Sequence, residues 1–354
     1  MKGLILSGGQ GTRLRPITHT SAKQLIPIAN KPILFYGIEA VVAAGITDIG
    51  IITGDTGAEV RAAVGDGSQF GATVTYIPQV APLGLAHAVL IARPFLGEER
   101  FVMYLGDNLI RDGINEFVDE FRRLEPDAEI LLARVPEPQR FGVAELKDGK
   151  VVRLVEKPPA PKSDLALVGV YLFSPKVFSD IERIDRSARG ELEITDAIQR
   201  MIDDGARVVP HVITGWWKDT GRPDDLLEAN RIILDTLEPR VEGTIGEGVK
   251  LEGKVVIQPG AQVSHSRIRG PAIIGSESLI ENAYIGPFTS IYHHCTIRGA
   301  EIEHSIVLEG SVIDGVDGKI ESSLIGKGCT VSSSPERPHA YRLMLGDQSR
   351  AELR

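Results

Sequence analysis

From Val241 to Val331 the chain places aliphatic residues at a six-residue step, and that period leaves few folds open to it. Ile245, Leu251, Ile257 and Val263 stand six apart; so do Ile274 and Ile280, Ile285, Ile291 and Ile297, and Ile325 and Val331. The step falls to five from Val263 to Ile268 and from Ile297 to Ile302. Glycine follows the aliphatic position at Gly246, Gly275, Gly286 and Gly326. One inward aliphatic residue per short rung is the mark of a β-helix, in which each coil buries its neighbour. A Gly-rich sandwich is the competing arrangement, but its strands recur at roughly 8–12 residues. The period predicts a parallel β-helix over 239–331.

The preceding residues, 1–238, have a different rhythm. Short apolar runs at Gly3–Leu6, Ile49–Thr53, Thr73–Pro78, Phe101–Leu105, Ala128–Arg134 and Ala166–Phe173 read as strands. Helical patterns at 33–44, 84–92 and 113–124 lie between them. Such alternation predicts an α/β unit with a doubly wound, Rossmann-like sheet, whose ligands sit beyond the carboxyl ends of strands. The first strand runs into Ser7-Gly8-Gly9-Gln10-Gly11-Thr12-Arg13. Glycines let this backbone bend and approach a ligand closely, and its N–H groups can form an anion-binding concavity. Thr12 and Arg13 add a hydroxyl and a cationic fork, and Lys23 adds a second cation. The spacing fits neither G-x-G-x-x-G nor the Walker pattern.

Composition narrows the partners. The 354 residues carry a net charge of −9, which argues against a nucleic-acid backbone as partner. An anionic ligand must then meet a local cluster of cations. Cys295 and Cys329 are the two cysteines and form no metal-ligand spacing. Met1-Lys2 leads directly into a strand-like run without a signal peptide, and no apolar run approaches the roughly 18 residues that span a bilayer. A cytoplasmic protein without membrane partners is expected. The segment 332–354 reads as a linker and tail, in which Tyr341–Leu345 is either a strand covering the end of the solenoid or a frayed end.

The run GGQGTRLRPIT…KQLIPIANKP closely resembles the signature of sugar-nucleotide pyrophosphorylases, and within them the long-form glucose-1-phosphate thymidylyltransferases. The resemblance covers the α/β region and the added β-helix, which in hexapeptide proteins of this kind is left-handed with three hexads to a coil, implying four or five coils here. It implies attack of a glucose 1-phosphate oxygen on the α-phosphorus of dTTP, assisted by Mg²⁺, giving dTDP-glucose and pyrophosphate. It places Gly8, Gly9, Gly11, Thr12, Arg13, Lys23 and Gln24 around the triphosphate, and Gln79 and Gly84 at the base. Asp107 in G-D-N and Asp219 in W-K-D-T-G match the metal carboxylates, with Asn108 beside the first. Asn108, Gly142, Glu156, Lys157, Leu167, Tyr171, Arg189 and Glu191 match the sugar-phosphate stations. Arg13, Lys23 and Lys157 are the expected catalytic cations. His87, where many relatives carry glutamine, reads as a helix residue without a chemical role.

Lys23-Gln24, where purine-using relatives carry K-P, favours a pyrimidine triphosphate: dTTP, with UTP as the alternative. A bifunctional nucleotidyl- and acetyltransferase is a further alternative. It would draw on His293 and His294, which together with Cys295 read as coil-surface or corner residues. The resemblance also implies a homo-oligomer, a dimer or tetramer.

Overall fold

The apolar run after Met1 becomes the strand Lys2–Ser7, near the middle of a nine-stranded sheet. Parallel neighbours flank it: Asp48–Thr53 and Phe101–Leu105, with Thr73–Pro78 beyond the first of these. The side-chain alternation of strands sends successive residues to opposite faces. Leu4, Leu6, Ile52 and Met103 enter one core with Ala86, Val89, Ile198 and Met201. Ile5, Ile51, Val102 and Tyr104 enter the other with Leu34, Ile38, Val60 and Phe121. The helices Leu85–Ile91 and Ile194–Asp203 thus cover one face, and Ile33–Ala43, Gly57–Val64 and Asn115–Leu124 the other. This is a doubly wound α/β arrangement, in a computed structural model that describes residues 1–333 and 341–352.

The sheet continues past its parallel part. Leu165–Phe173 runs antiparallel to both Phe101–Leu105 and Ala128–Arg134. The hairpin of Gly142–Lys147 and Lys150–Glu156 extends one side, and Val208–Val212 joins Ala128–Arg134 in parallel. A small ribbon pairs Trp217–Asp219 antiparallel with Asn108–Ile110. All of this lies in one compact unit, made of Met1–Gln10, Ala22–Leu25 and Ile33–Asp219.

The second unit contains Gly11–Ser21, Ile26–Pro32 and the chain from Thr220 onward. Its main body is a β-helix with three parallel sheets, two of six strands and one of five among the described residues. That is five full coils and part of a sixth, more than the four or five expected. Strands too short to register in the hexad count, such as Arg240–Val241, add the difference. Each coil takes about 17 residues: Val255 lies beside Ala272, and Ala272 beside Thr289. The five-residue steps in the sequence account for coils shorter than three full hexads. Leu251, Ile268, Ile285, Ile302 and Ile320 stack as neighbours on successive coils. Ile268, Ile285 and Ile302 are fully buried, whereas Leu251, in the first coil, is partly exposed. The geometry is that of the left-handed hexapeptide form.

One expectation is corrected here, and one of two alternatives is removed. Cys295 lies inside the solenoid rather than on its surface: it is 1% exposed, and its thiol donates to the Leu308 carbonyl at 3.2 Å. Tyr341–Leu345 forms no strand, and Tyr341, Leu343, Met344 and Leu345 are exposed.

Within this unit the helix Pro223–Thr236 docks onto the coils through Leu234, which packs with Ala29, Val256 and Ile273. Asn230 is the polar pin of that contact. Its Oδ1 accepts from Ala29 N at 2.9 Å and Ser290 Oγ at 2.6 Å, and its Nδ2 donates to the Phe288 carbonyl at 3.1 Å. Asn30 Nδ2 adds a bond to the Ile291 carbonyl at 2.7 Å. Asn230 is fully buried, so its loss strands three partners away from water. Asn230→Leu is expected to lower stability by about 2–5 kcal/mol. Urea denaturation measures it, and a midpoint equal to wild type would refute the pin.

Candidate functional site

The glycine turn follows directly from the end of the central strand. Gly8 and Gly9 lie between two glutamines: a Cβ on Gly8 would stand 3.3 Å from Gln79 Oε1, and one on Gly9 would stand 3.6 Å from Gln24 Nε2. Gln24 is 2% exposed and its Oε1 has no hydrogen-bond partner, so the residue beside this turn carries a buried acceptor without a donor. Gly11, at φ +64, opens the single turn Thr12–Leu14, and Thr12 and Arg13 are exposed. Thr18 Oγ1 donates to the Gly11 carbonyl at 2.8 Å and holds this part of the loop closed on itself.

Gln79 is held from one side. The Gly84 carbonyl can only accept, so the amide nitrogen of Gln79 must face it, at 3.2 Å. The same nitrogen lies 3.0 Å from His87 Nδ1. His87 Nδ1 therefore accepts, which fixes the neutral Nε2–H tautomer. Burial, with the Arg186 charge, pushes the His87 pKa below its ordinary value, in keeping with that state. Both N–H groups of Gln79 are engaged, and Oε1 is left facing Gly8. Gly84, at φ +104, admits no side chain: a Cβ would meet the Leu192 carbonyl at 2.4 Å.

The turn Lys23–Leu25 presents a buried lysine, 5% exposed, whose ammonium pairs with Asp107 Oδ2. Asn108 Nδ2 donates to Asp107 Oδ1 at 2.9 Å, and Trp217 Nε1 donates to Asn108 Oδ1 at 2.6 Å. Burial alone would raise the Asp107 carboxyl; the Lys23 charge and these hydrogen bonds outweigh it and hold the group below the usual range. The ribbon register sets Asp219 opposite Asn108. Asp219 thus pairs with the residue that follows Asp107, from which it stands 112 positions away in the chain.

A cleft of about 650 Å³ is lined by three of the remaining stations, Glu156, Lys157 and Arg189, together with Glu193 and Asp196. Glu156 lies opposite Gly142 in the hairpin. A Cβ on Gly142 would meet Thr195 Cγ2 at 2.6 Å and Leu167 Cδ1 at 2.7 Å, so glycine keeps this wall open. Glu156 Oε1 receives Lys157 Nζ at 2.9 Å and Arg189 Nη2 at 3.1 Å; Thr195 Oγ1 approaches Oε2 at 3.4 Å. Arg189 also grips both oxygens of Glu193 at 2.8 Å, with Glu191 at 3.6 Å. Its guanidinium is thus engaged by carboxylates in the ligand-free chain. Burial, Glu193 and Glu156 push Asp196 above its ordinary value. Tyr171 is 4% exposed, in the core and stacked on Phe173, with centroids 6.0 Å apart.

A family model described as nucleotidyl transferase matches residues 2–236. The chain belongs to the nucleotidyl transferase family. Curated relatives of this nucleotidyl transferase include the glucose-1-phosphate thymidylyltransferases of Streptomyces griseus and Streptomyces antibioticus. Each is 58% identical and aligned over 100% of this chain and 99% of its own length. A low-salt glycan biosynthesis nucleotidyltransferase of Haloferax volcanii is 45% identical over the full length of both chains. A solved Bacillus anthracis chain, in complex with sucrose, is 39% identical and superposes with a TM-score of 0.64 over 68% of this chain and 98% of that one.

Sequence reasoning missed several members of this nucleotidyl transferase's site. His87 touches Gln79, Trp217 orients Asn108, and Glu193 and Thr195 hold Arg189 and Glu156. Trp217, two residues before Asp219, carried the one usable signal.

Proposed function

We propose that this nucleotidyl transferase moves a thymidylyl group from dTTP to α-D-glucose 1-phosphate, releasing dTDP-glucose and pyrophosphate. The observation that carries the reading is the buried Lys23–Asp107 pair at the glycine turn, with Asp219 in register beside it. The full-length match to two relatives named for this activity supports it.

The donor set fits Mg²⁺: hard carboxylate oxygens from two strands, with substrate phosphates completing the shell. Asp107 and Asp219 would hold the ion, which when bound neutralises charge on the phosphates. Lys23 keeps Asp107 ionised and adds positive charge at the triphosphate. The Gly8–Arg13 loop cradles the triphosphate, with Arg13 answering the α-phosphoryl group. Glu156 accepts from sugar hydroxyls, and Lys157 holds the sugar phosphate. A phosphate oxygen of glucose 1-phosphate attacks the α-phosphorus in line, and the bond to the departing pyrophosphate breaks as the new one forms.

Gln79 reads the base through Oε1 alone, an acceptor for the N3–H of thymine. Uracil offers the same N–H, so UTP remains the second reading; cytosine, with a lone pair at N3, is refused. His87 is a positioning residue in this reading. His87→Leu is expected to lower the dTTP-over-dCTP ratio in kcat/KM by about tenfold, the worth of one hydrogen bond, and His87→Gln to restore most of it. An unchanged ratio in His87→Leu would return His87 to a purely structural role. Acetyl transfer gains nothing from the solenoid histidines: His293 Nδ1 accepts from Ser276 N at 3.1 Å and so serves a coil turn. The test of the whole reading is a matrix of nucleoside triphosphates against sugar 1-phosphates with Mg²⁺. Highest turnover is expected for dTTP with glucose 1-phosphate, and a clear UTP preference overturns the choice of base.

A further inference from the structure

Glu129 is the one wholly buried carboxylate among the described residues that neither oxygen of which finds a hydrogen-bond partner. It sits on the strand Ala128–Arg134, fully inaccessible, outside every residue assigned to nucleotidyl transfer. A lone charge there is costly, because the interior replaces none of its hydration. Two other groups turn toward it. The neighbouring strand Val208–Val212 sets Val209 beside Glu129 and His211 beside Leu131, so His211 and Glu129 share a face. Glu120 reaches the same point from the helix Asn115–Leu124. One ligand atom from each of the three lies within 4.8 Å of the others.

We propose that Glu120, Glu129 and His211 form a binding site for a borderline divalent cation of the Zn²⁺ class. One imidazole nitrogen and two carboxylate oxygens are a donor set that suits Zn²⁺, whereas Mg²⁺ prefers oxygen alone. Three rigid elements supply the ligands, and the shape is preset. His211 Nδ1 already lies 2.6 Å from Glu120 Oε2, and the Phe117 ring packs on the imidazole at 5.7 Å between centroids. The His211 and Glu120 side chains are each 26% exposed, which gives the ion a way in past the buried Glu129. A cation would give Glu129 the partner it lacks. Burial and the Glu120 charge push the Glu129 carboxyl up to about 8, with Arg123 opposing.

The test titrates zinc chloride calorimetrically into the full-length protein in excess Mg²⁺. It compares wild type with Glu129→Gln, His211→Gln and Asp107→Asn, each checked for native circular dichroism. One Zn²⁺ per chain is expected, weakened about tenfold or more in Glu129→Gln and His211→Gln and retained in Asp107→Asn. His211 is partly exposed, so its variant keeps the fold and the result readable. No binding by wild type overturns the proposal. So does equal binding by His211→Gln, or loss of the ion in Asp107→Asn alone, which would put it on the nucleotidyl-transfer carboxylates.

Discussion

Asp107→Asn is expected to cut kcat for dTDP-glucose synthesis by about a thousandfold, the loss of several kcal/mol of transition-state stabilisation. Asparagine keeps the side-chain shape but removes the charge that answers the buried Lys23 ammonium and would hold Mg²⁺. Lys23 is 5% exposed, and a buried cation that loses its partner is costly in its own right. The variant should therefore also melt earlier, which separates the two roles of the pair: stability reports the lost ion pair, and the Mg²⁺ dependence of residual turnover reports the lost ligand. Asp219→Asn tests the ligand role from the facing strand of the ribbon. A kcat within about tenfold of wild type in either variant would remove that carboxylate from the metal site.

The parts of this molecule that were legible in sequence are those in which one residue type repeats under one geometric demand. The solenoid rungs announce themselves because every coil needs an aliphatic residue at the same inward station, as Ile268, Ile285 and Ile302 show. The strand cores of the α/β unit are visible as apolar runs because both sheet faces are covered. Direction is not visible in the same way. All nine residues of Leu165–Phe173 are buried, and a wholly buried strand carries no alternation to say which way it pairs. The antiparallel half of the sheet was illegible for that reason. Single polar pins were illegible too. Asn230 and Asn30 meet partners 58 to 261 positions away, and no local spacing encodes such distances. Cys295 carries no sequence mark of its burial: it occupies the inward station where the preceding coil places Ser278, whose hydroxyl accepts from Cys295 N at 3.0 Å. At the site, the motifs located the stations, whereas the contacts among them, such as His87 to Gln79 across a loop, came only from the fold.

Glu156→Gln is expected to reduce kcat/KM for glucose 1-phosphate by about a hundredfold while leaving the affinity for dTTP within about twofold of wild type. The asymmetry follows from where the carboxylate sits. Glu156 gathers Lys157 and Arg189 at the sugar end and touches none of the groups at the base end. A charged acceptor is worth about 1.5–3 kcal/mol per hydrogen bond, and its loss also releases Lys157 and Arg189 from their shared anchor. Glutamine offers one acceptor oxygen and one amide that repels Arg189, so Glu193, already bonded to that guanidinium at 2.8 Å, takes all of it. The defect should appear chiefly as a raised KM for the sugar phosphate, because in the proposed reading Glu156 would contact hydroxyls present in ground and transition states alike. Calorimetric dTTP binding provides the control. Loss of dTTP affinity by more than about tenfold would show that Glu156 supports the nucleotide end instead, and an unchanged KM for glucose 1-phosphate would take the carboxylate out of sugar recognition.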